Sequence, residues 1–200
     1  QRRMWFLWQL DPHSGAYNLP GAVSLTGALE LDALEQAFAY VVQRHHTLRT
    51  VFRHNADDTL EQVECEAPIT VEHMDFTLLP ALEREQALAT QAQQESLQPF
   101  DLANGPLLRI KLLKLAADEH VLLLTLHHIV SDGWSMNVLI DEFIRSYDAF
   151  ERKELPQLAP LAIQYSDYAL WQRRWLEAGE QARQLAYWQA TLGDEHPVMT

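Results

Sequence analysis

The sequence predicts an α/β (α+β) two-layer sandwich, because amphipathic helices alternate along the chain with short strands. Residues 31–45 and 134–150 place apolar side chains at the i, i+3, i+4 and i+7 positions of one helix face. Residues 107–115 and 120–126 read as paired strands, and the second is apolar on both faces. Such a strand is covered on both sides, and interleaved strands and helices pack as layers around one core.

The remaining elements follow from the same local patterns. Four further strands are short and bounded by turn-forming residues; they cover 22–26, 48–53, 60–64 and 69–73. Four further helices cover 3–10, 81–97, 166–178 and 180–192. The second of these is rich in Ala and Gln, which favour helix, and Pro99 closes it.

Composition limits the possible functions. Two hundred residues suffice for one domain or one large lobe with a substantial core. The net charge of −13 argues against a nucleic-acid surface, which needs clustered Lys and Arg. No apolar run approaches the roughly 20 residues of a membrane-spanning helix. Cys65 is the only cysteine, so a reducing, cytoplasmic compartment fits, and its acidic neighbours disfavour a nucleophilic thiolate.

The stretch 127–135, His-His-Ile-Val-Ser-Asp-Gly-Trp-Ser, is the most informative part of the sequence. Neighbouring side chains of a strand point to opposite faces, so His127 and His128 cannot share one environment. One ring can face a cavity while the other packs behind it. Because imidazole moves protons near neutral pH, the spacing indicates an acyl-transfer site.

The pattern His-His-x-x-x-Asp-Gly at 127–133 resembles the active-site motif of nonribosomal peptide synthetase condensation domains. More distantly, it is similar to chloramphenicol acetyltransferase-like acyltransferases. Other stretches resemble further condensation motifs in the same order; they are 1–7, 44–52, 165–171, and 185–188 followed by Leu192-Gly193. The resemblance implies a chloramphenicol acetyltransferase-like fold that forms one lobe of a two-lobed domain.

The same resemblance implies a domain organisation. Residues 1–178 are expected to be the N-terminal lobe, and 179–200 a connecting helix and the start of the crossover to a missing C-terminal lobe. Family members hold their substrates in a tunnel between the two lobes. The chain alone is therefore expected to be inactive and to expose an apolar face where the second lobe packs.

The reaction that the resemblance implies is peptide-bond formation. A donor aminoacyl or peptidyl thioester on an upstream peptidyl carrier protein meets the amine of an aminoacyl thioester on a downstream carrier. The 4'-phosphopantetheine arms belong to those carriers, so no cofactor or metal is expected to bind the chain directly. Neighbouring synthetase domains are further expected partners.

Two rival functions share parts of this pattern. An epimerisation domain would use the same histidine motif on the α-carbon of a carrier-bound aminoacyl thioester. The Trp134-Ser135 order and the segment 44–52 favour condensation over it. A degenerate condensation-like domain would only dock other proteins, and a broken histidine motif would be its usual sign. Here the motif is intact.

The resemblance assigns the chemistry to the second histidine, His128. Its neutral imidazole would act as a base, or it would orient the amine and stabilise charge in the intermediate. The alternative is a purely structural role, as a hydrogen-bonded core histidine at the end of a strand. His127 is expected to pack or hydrogen-bond behind the site.

Five more residues are expected to support this site. Asp132 has two interpretations, an N-cap for the helix near Trp134 or a buried carboxylate paired with Arg44. Gly133 would let substrate approach the backbone, or it would only permit a turn. Trp134 and Ser135 are substrate-channel candidates, although a core position for Trp134 is slightly favoured.

A metal site at His45, His46 and His54 is not expected. No carboxylate or cysteine stands at a matching spacing. The first two histidines end a predicted helix, where a cationic side chain is favourable.

Overall fold

The computed structural model describes residues 1–65 and 69–193. These residues divide into two compact units, the first covering Gln1–Pro160 and the second beginning at Leu161. The predicted boundary at 178/179 separates the expected N-terminal lobe from the segment that leads to a second lobe. It is a different division from this one, and it stays a prediction. The last predicted residues, 194–200, lie outside the described part of the chain.

The first unit contains four helices and six strands within the described residues. The helices are α1 (Arg2–Leu10), α2 (Leu31–Arg44), α3 (Ala81–Leu97) and α4 (Gly133–Glu151). The strands are β1 (Asn18–Thr26), β2 (Thr50–His54), β3 (Leu60–Glu64), β4 (Val71–Asp75), β5 (Leu108–Ala116) and β6 (Glu119–His127).

The main sheet has the strand order β1-β6-β5-β4. The β1–β6 and β5–β6 pairs are antiparallel, and β4 runs parallel to β5. Strands β2 and β3 form a separate antiparallel pair. Strand β6 is therefore internal, and every residue from His120 to His127 is buried, as the apolar run predicted.

Helices α2 and α4 pack on one face of the main sheet. Their rings Phe38 and Phe143 stack with centroids 4.2 Å apart, above Leu108, Leu122 and Leu124 of the strands. On the other face, Leu88 and Ala92 of α3 pack against Leu113, Val121 and Leu123. The predicted α/β (α+β) sandwich is confirmed.

A third cluster lies beyond the end of β6. It joins Trp5 of α1 and Phe52 of β2 to Phe100, and it includes Ile129 and Val130 from the segment that follows β6. The segment between β6 and α4 is thus held against this apolar cluster by Ile129 and Val130.

The second unit consists of α5 (Tyr165–Trp175) and α6 (Gln181–Leu192), joined by a π-helical turn at Leu176–Glu180. Gly179 there has a φ of 115°, a conformation that glycine adopts without strain. None of the residues in these three helical segments is buried.

Most predicted boundaries agree with the structure to within a few residues, and four differ. The strand predicted over 22–26 begins four residues earlier, at Asn18, because β1 pairs with β6 from Asn18 onward. The predicted strand 48–53 begins late, because His46–Arg49 is a 3₁₀ turn in which Thr50 Oγ1 donates to the His46 carbonyl (2.8 Å). The predicted strand 69–73 is shifted to β4 by its pairing with Ile110–Lys114. The helix predicted to end at 178 gives way to the π-helical turn after Trp175.

No helix in the described ranges is both long enough and apolar enough to cross a membrane.

Candidate active site

The two histidines lie where β6 ends and the connection to α4 begins. The His127 N–H donates to the Leu107 carbonyl beside β5 (3.1 Å), and the His128 N–H donates to the Tyr17 carbonyl beside β1 (2.8 Å). Successive N–H groups therefore bond to opposite neighbouring strands, as in a regular β-ladder. Their side chains consequently leave opposite faces of the sheet.

His128 is partly exposed, although every other residue from 120 to 131 is buried. Its Nδ1 lies 2.8 Å from the Ser131 carbonyl oxygen. A carbonyl only accepts hydrogen bonds, so Nδ1 holds the proton of the neutral ring and Nε2 holds a lone pair. Among the residues that the structure describes, none makes a hydrogen bond to that Nε2. The ring thus presents a hydrogen-bond acceptor, and a base, on its partly exposed side.

His127 has the opposite environment and the opposite tautomer. It is 3 % exposed, and its Nδ1 accepts the Ile129 N–H at 3.1 Å, so the proton of the neutral ring is on Nε2. Its ring meets Phe100 edge-on, with centroids 6.0 Å apart. Burial, and secondarily the charge of His128, lower the pKa of His127 to about 4. His127 is a neutral packing residue at physiological pH.

Asp132 caps α4. Its Oδ1 accepts hydrogen bonds from the Ser135 N–H (2.8 Å) and the Ser135 hydroxyl (2.6 Å), and these bonds hold the pKa of the Asp132 carboxyl below its usual value. The carboxyl is exposed. The N-cap interpretation therefore agrees with the structure, and the buried Asp132–Arg44 pair does not.

Among the described residues, Glu142 of α4 places its carboxylate beside Arg44. Its Oε2 lies 3.0 Å from Arg44 Nε and 2.6 Å from His45 Nε2, and only 12 % of the Glu142 side chain is exposed. Arg44 Nη2 also donates to the Ala159 carbonyl (2.6 Å). Arg44 thus joins the end of α2 to α4 and to the loop before Pro160.

Sequence reasoning missed Glu142 and had one usable signal for it. Glu142 directly precedes the buried Phe143 and follows the buried Leu139 by three positions. A carboxylate beside the apolar stripe of a helix that packs on α2 is a natural partner for an arginine at the end of α2. Nothing in the sequence indicated that the carbonyl of Tyr17 would bond to His128.

The Gly-Trp-Ser segment after Asp132 lies at the surface. Trp134 is 80 % exposed, so the core position predicted for it is wrong. A Cβ on Gly133 would meet nothing within 4 Å, so packing within the described chain does not require glycine there. Ser135 directs its hydroxyl to Asp132. Trp134 and Gly133 remain available to another molecule.

The three histidines considered for a metal have separate carboxylate partners. His45 bonds to Glu142, His46 Nδ1 lies 3.6 Å from Glu64, and His54 Nδ1 lies 2.6 Å from Asp58. Within 1–65 and 69–193, no three His, Cys, Asp or Glu side chains are grouped to hold a metal ion.

A half-open cavity of about 210 Å³ lies elsewhere, at the sheet edge where β4 begins beside β5. Its lining includes Glu72, Glu95, Arg109 and Lys111. The charges of these four side chains are paired with one another, so the cavity offers no unbalanced charge to a ligand. His128 does not line it.

Comparisons with known proteins identify the family of the chain. The family model described as "Condensation domain" matches residues 1–200. The chain belongs to the condensation domain family. A linear gramicidin synthase protein of Brevibacillus parabrevis is 42% identical over 199 residues, 100% of this chain. Malpibaldin synthetase of Mortierella alpina is 42% identical over 200 residues, 99% of this chain. The matched region spans only 3% and 4%, respectively, of those two proteins.

Solved structures confirm the fold of this condensation domain. The starter condensation domain of rhizomide synthetase superposes with a TM-score of 0.86 at 23% identity, covering 98% of this chain and 47% of that one. The X-domain from teicoplanin biosynthesis superposes with a TM-score of 0.86 at 31% identity, covering 99% and 43%. The present chain therefore spans less than half of either solved chain, as expected of one lobe.

The N-cap of α4 by Asp132 should contribute measurably to the free energy of unfolding. Asp132→Ala removes the acceptor of the Ser135 N–H and is expected to lower the free energy of unfolding by about 1 kcal/mol, whereas Asp132→Asn keeps an oxygen and should cost less. Asp141→Ala, at an exposed position of the same helix, is the control and should stay within about 0.5 kcal/mol of wild type. Equal effects at both positions in urea unfolding would contradict the cap.

The buried neutral His127 should make stability depend on pH. Its folded-state pKa of about 4 lies below the unfolded value of about 6.5, so the unfolded chain takes up the proton first as the pH falls. The stabilisation present above pH 6.5 should be lost toward pH 4, by roughly 3 kcal/mol. His127→Asn keeps a hydrogen-bond acceptor without titrating and should flatten that slope.

Urea unfolding between pH 6.5 and pH 4 measures this difference. The matched control is His13→Asn, which alters an exposed histidine and should leave the slope as in wild type. An unchanged slope in the His127→Asn chain would contradict the assignment.

Proposed function

We propose that this condensation domain forms a peptide bond between two carrier-bound substrates, and that His128 is its catalytic residue. The observation that supports this most strongly is the bond from His128 Nδ1–H to the Ser131 carbonyl. That bond leaves a lone pair on Nε2, on a partly exposed ring at the end of an otherwise buried strand.

The proposed reaction joins an amine to a thioester. The acceptor nitrogen attacks the donor carbonyl carbon, the C–N bond forms, and an N–H proton passes toward His128 Nε2. The tetrahedral intermediate then expels the carrier thiolate as the C–S bond breaks, and the thiolate takes up a proton. Whether Nε2 removes the proton or only orients the amine, the lone pair must be on that atom.

The proposed partners are the upstream and downstream peptidyl carrier proteins. Both substrates are thioesters on the 4'-phosphopantetheine arms of those carriers, so the chain itself needs no bound cofactor or metal. The relatives named as synthases and synthetases support the proposal of partner domains. The chain spans only 3–5% of the length of five of them, so most of each of those proteins lies outside the matched region. A cytoplasmic location belongs to the proposal, since the one cysteine fits a reducing compartment.

A further proposed partner is the C-terminal lobe of the same domain. Aromatic rings on α5 contact one another in succession, and the last two are stacked; they are Tyr165, Tyr168, Trp171 and Trp175. Trp171 is 57 % exposed and Trp175 is 42 % exposed. An exposed run of aromatic rings indicates a surface that another part of the protein covers. We propose that the second lobe lies there and that residues 179–200 lead toward it.

One comparison favours a second candidate, a docking role. A solved chain with a TM-score of 0.86 and 31% identity is from a complex of an X-domain with OxyB from teicoplanin biosynthesis. A protein of this fold therefore binds another protein. The intact histidine pair and the free lone pair of His128 favour catalysis over docking for the present chain.

The decisive variant is His128→Ala in the full synthetase with both carriers loaded. Loss of the Nε2 lone pair is expected to lower the single-turnover rate of peptide formation by about 10²–10⁴-fold. His13→Ala, at an exposed position, should leave the rate unchanged.

Three readouts separate the candidates in the same experiment. Peptide formation that depends on His128 supports condensation. Exchange of the α-proton of a loaded aminoacyl carrier into deuterated water, without peptide, would indicate an epimerisation domain instead. Peptide formation at the wild-type rate in His128→Ala would contradict a catalytic histidine and favour docking.

A further inference from the structure

A buried ion pair lies near the C-terminal end of α3. Glu95 is 2 % exposed, and its Oε2 accepts a hydrogen bond from Arg109 Nε (2.9 Å) while Oε1 lies 3.1 Å from Lys111 Nζ. Burial alone would raise the pKa of Glu95, but the Arg109 hydrogen bond and the nearby positive charges of Arg109 and Lys111 outweigh it, and the pKa lies below its usual value. Glu95 is therefore a fixed anion.

Arg109 is held by more than this carboxylate. Nη2 donates to the carbonyls of Glu95 (3.1 Å) and Gln98 (2.9 Å), and Nη1 donates to that of Pro99 (3.3 Å). These carbonyls lie at and just beyond the C-terminal end of α3, where helices leave acceptors unpaired and favour a cation. The guanidinium plane consequently has one orientation.

Phe100 connects that guanidinium to the histidine pair. The Arg109 Cζ lies 3.8 Å from the Phe100 ring centroid, which is a close cation–π contact. The Phe100 ring in turn meets the His127 ring edge-on at 6.0 Å, with an interplanar angle of 85°. Phe100 is 4 % exposed, so neither contact is loosened by solvent.

The orientation of the His127 ring controls the backbone that holds His128. His127 Nδ1 accepts the Ile129 N–H, and the His127 carbonyl accepts the Val130 N–H at 3.0 Å. The two bonds close the turn 127–130 around His128. A rotated His127 ring would release the Ile129 N–H and change the direction in which the His128 side chain leaves the turn.

We propose that Arg109, acting through Phe100 and His127, is a positioning residue for His128. The inference rests on the proposed function of His128 and adds residues that touch no substrate. A displacement of about 1 Å at a reacting group costs up to about 100-fold in rate. The signature of such a residue is a fall in kcat while KM for the carrier-bound acceptor is retained.

Two matched pairs of variants in the full synthetase test this. Phe100→Leu removes the ring between Arg109 and His127, whereas Phe38→Leu makes the same change at a buried ring of α2 that stacks on Phe143. Arg109→Gln and Lys111→Gln each remove one cationic partner of Glu95, but only Arg109 lies over Phe100.

The expected result is a fall in kcat of about 10-fold or more for Phe100→Leu and Arg109→Gln, with KM within about twofold of wild type. Phe38→Leu and Lys111→Gln should keep the wild-type kcat, even if their melting temperatures fall by as much as those of Phe100→Leu and Arg109→Gln. Wild-type kcat in Phe100→Leu or in Arg109→Gln, or an equal loss in both members of each pair, would overturn the proposal. Should one variant fail to fold, the other pair decides.

His128→Ala in the same assay distinguishes this inference from the proposed function. If His128→Ala is inactive and Phe100→Leu has wild-type kcat, only the positioning role is wrong. If His128→Ala has wild-type activity, the proposed catalytic role of His128 is wrong, and the positioning role is wrong with it.

Discussion

The hydrogen bond from His128 Nδ1 to the Ser131 carbonyl is the interaction on which the site depends. It selects one tautomer, because a carbonyl cannot donate, and a histidine is a useful acceptor only at the nitrogen without the proton. The bond requires the chain to turn back within three residues. The cap by Asp132 and the acceptance of the Ile129 N–H by His127 fix the two sides of that turn.

The end of α3 provides a second constraint, because its backbone carbonyls are bonded by side chains from three other segments. Asn18 Nδ2 donates to the carbonyls of Ser96 and Gln98 (2.9 Å each), and Trp8 Nε1 donates to that of Phe100 (2.9 Å). Arg109 donates to the Gln98 carbonyl as well, and to those of Glu95 and Pro99. A buried ion pair adds little net stability compared with apolar packing. Here the Glu95–Arg109 pair fixes α3 against β5, and the hydrogen bonds of Trp8 and Asn18 join α1 and β1 to the same end of α3.

The parts that could be predicted from sequence are those set by local rules. The helix 81–97 agrees with α3 at both ends, and the run of buried residues in β6 follows from its apolar composition. Asp132 was a candidate N-cap because the helix signal begins directly after it, and the structure places its carboxylate on the Ser135 N–H. The separation of the two histidines follows from the alternation of side chains along a strand.

The parts that could not be predicted depend on distant segments. Arg44 pairs with Glu142, 98 positions away, and not with the predicted Asp132. Trp134 follows a buried strand closely enough to suggest the core, yet α4 begins there and turns it to the surface. The stack of Arg109, Phe100 and His127 joins two strands and a loop, and no local pattern announces it.

The central claim is that His128 presents an unprotonated Nε2, and nitrogen NMR tests it directly. Long-range proton–nitrogen correlation on the ¹⁵N-histidine-labelled condensation domain, recorded with the pH raised until the histidine signals stop changing, reports which ring nitrogen has the proton. The signals of His128 are assigned by their loss in His128→Asn. The account predicts a protonated Nδ1 and a bare Nε2. A proton on Nε2, with the lone pair on Nδ1, would contradict it.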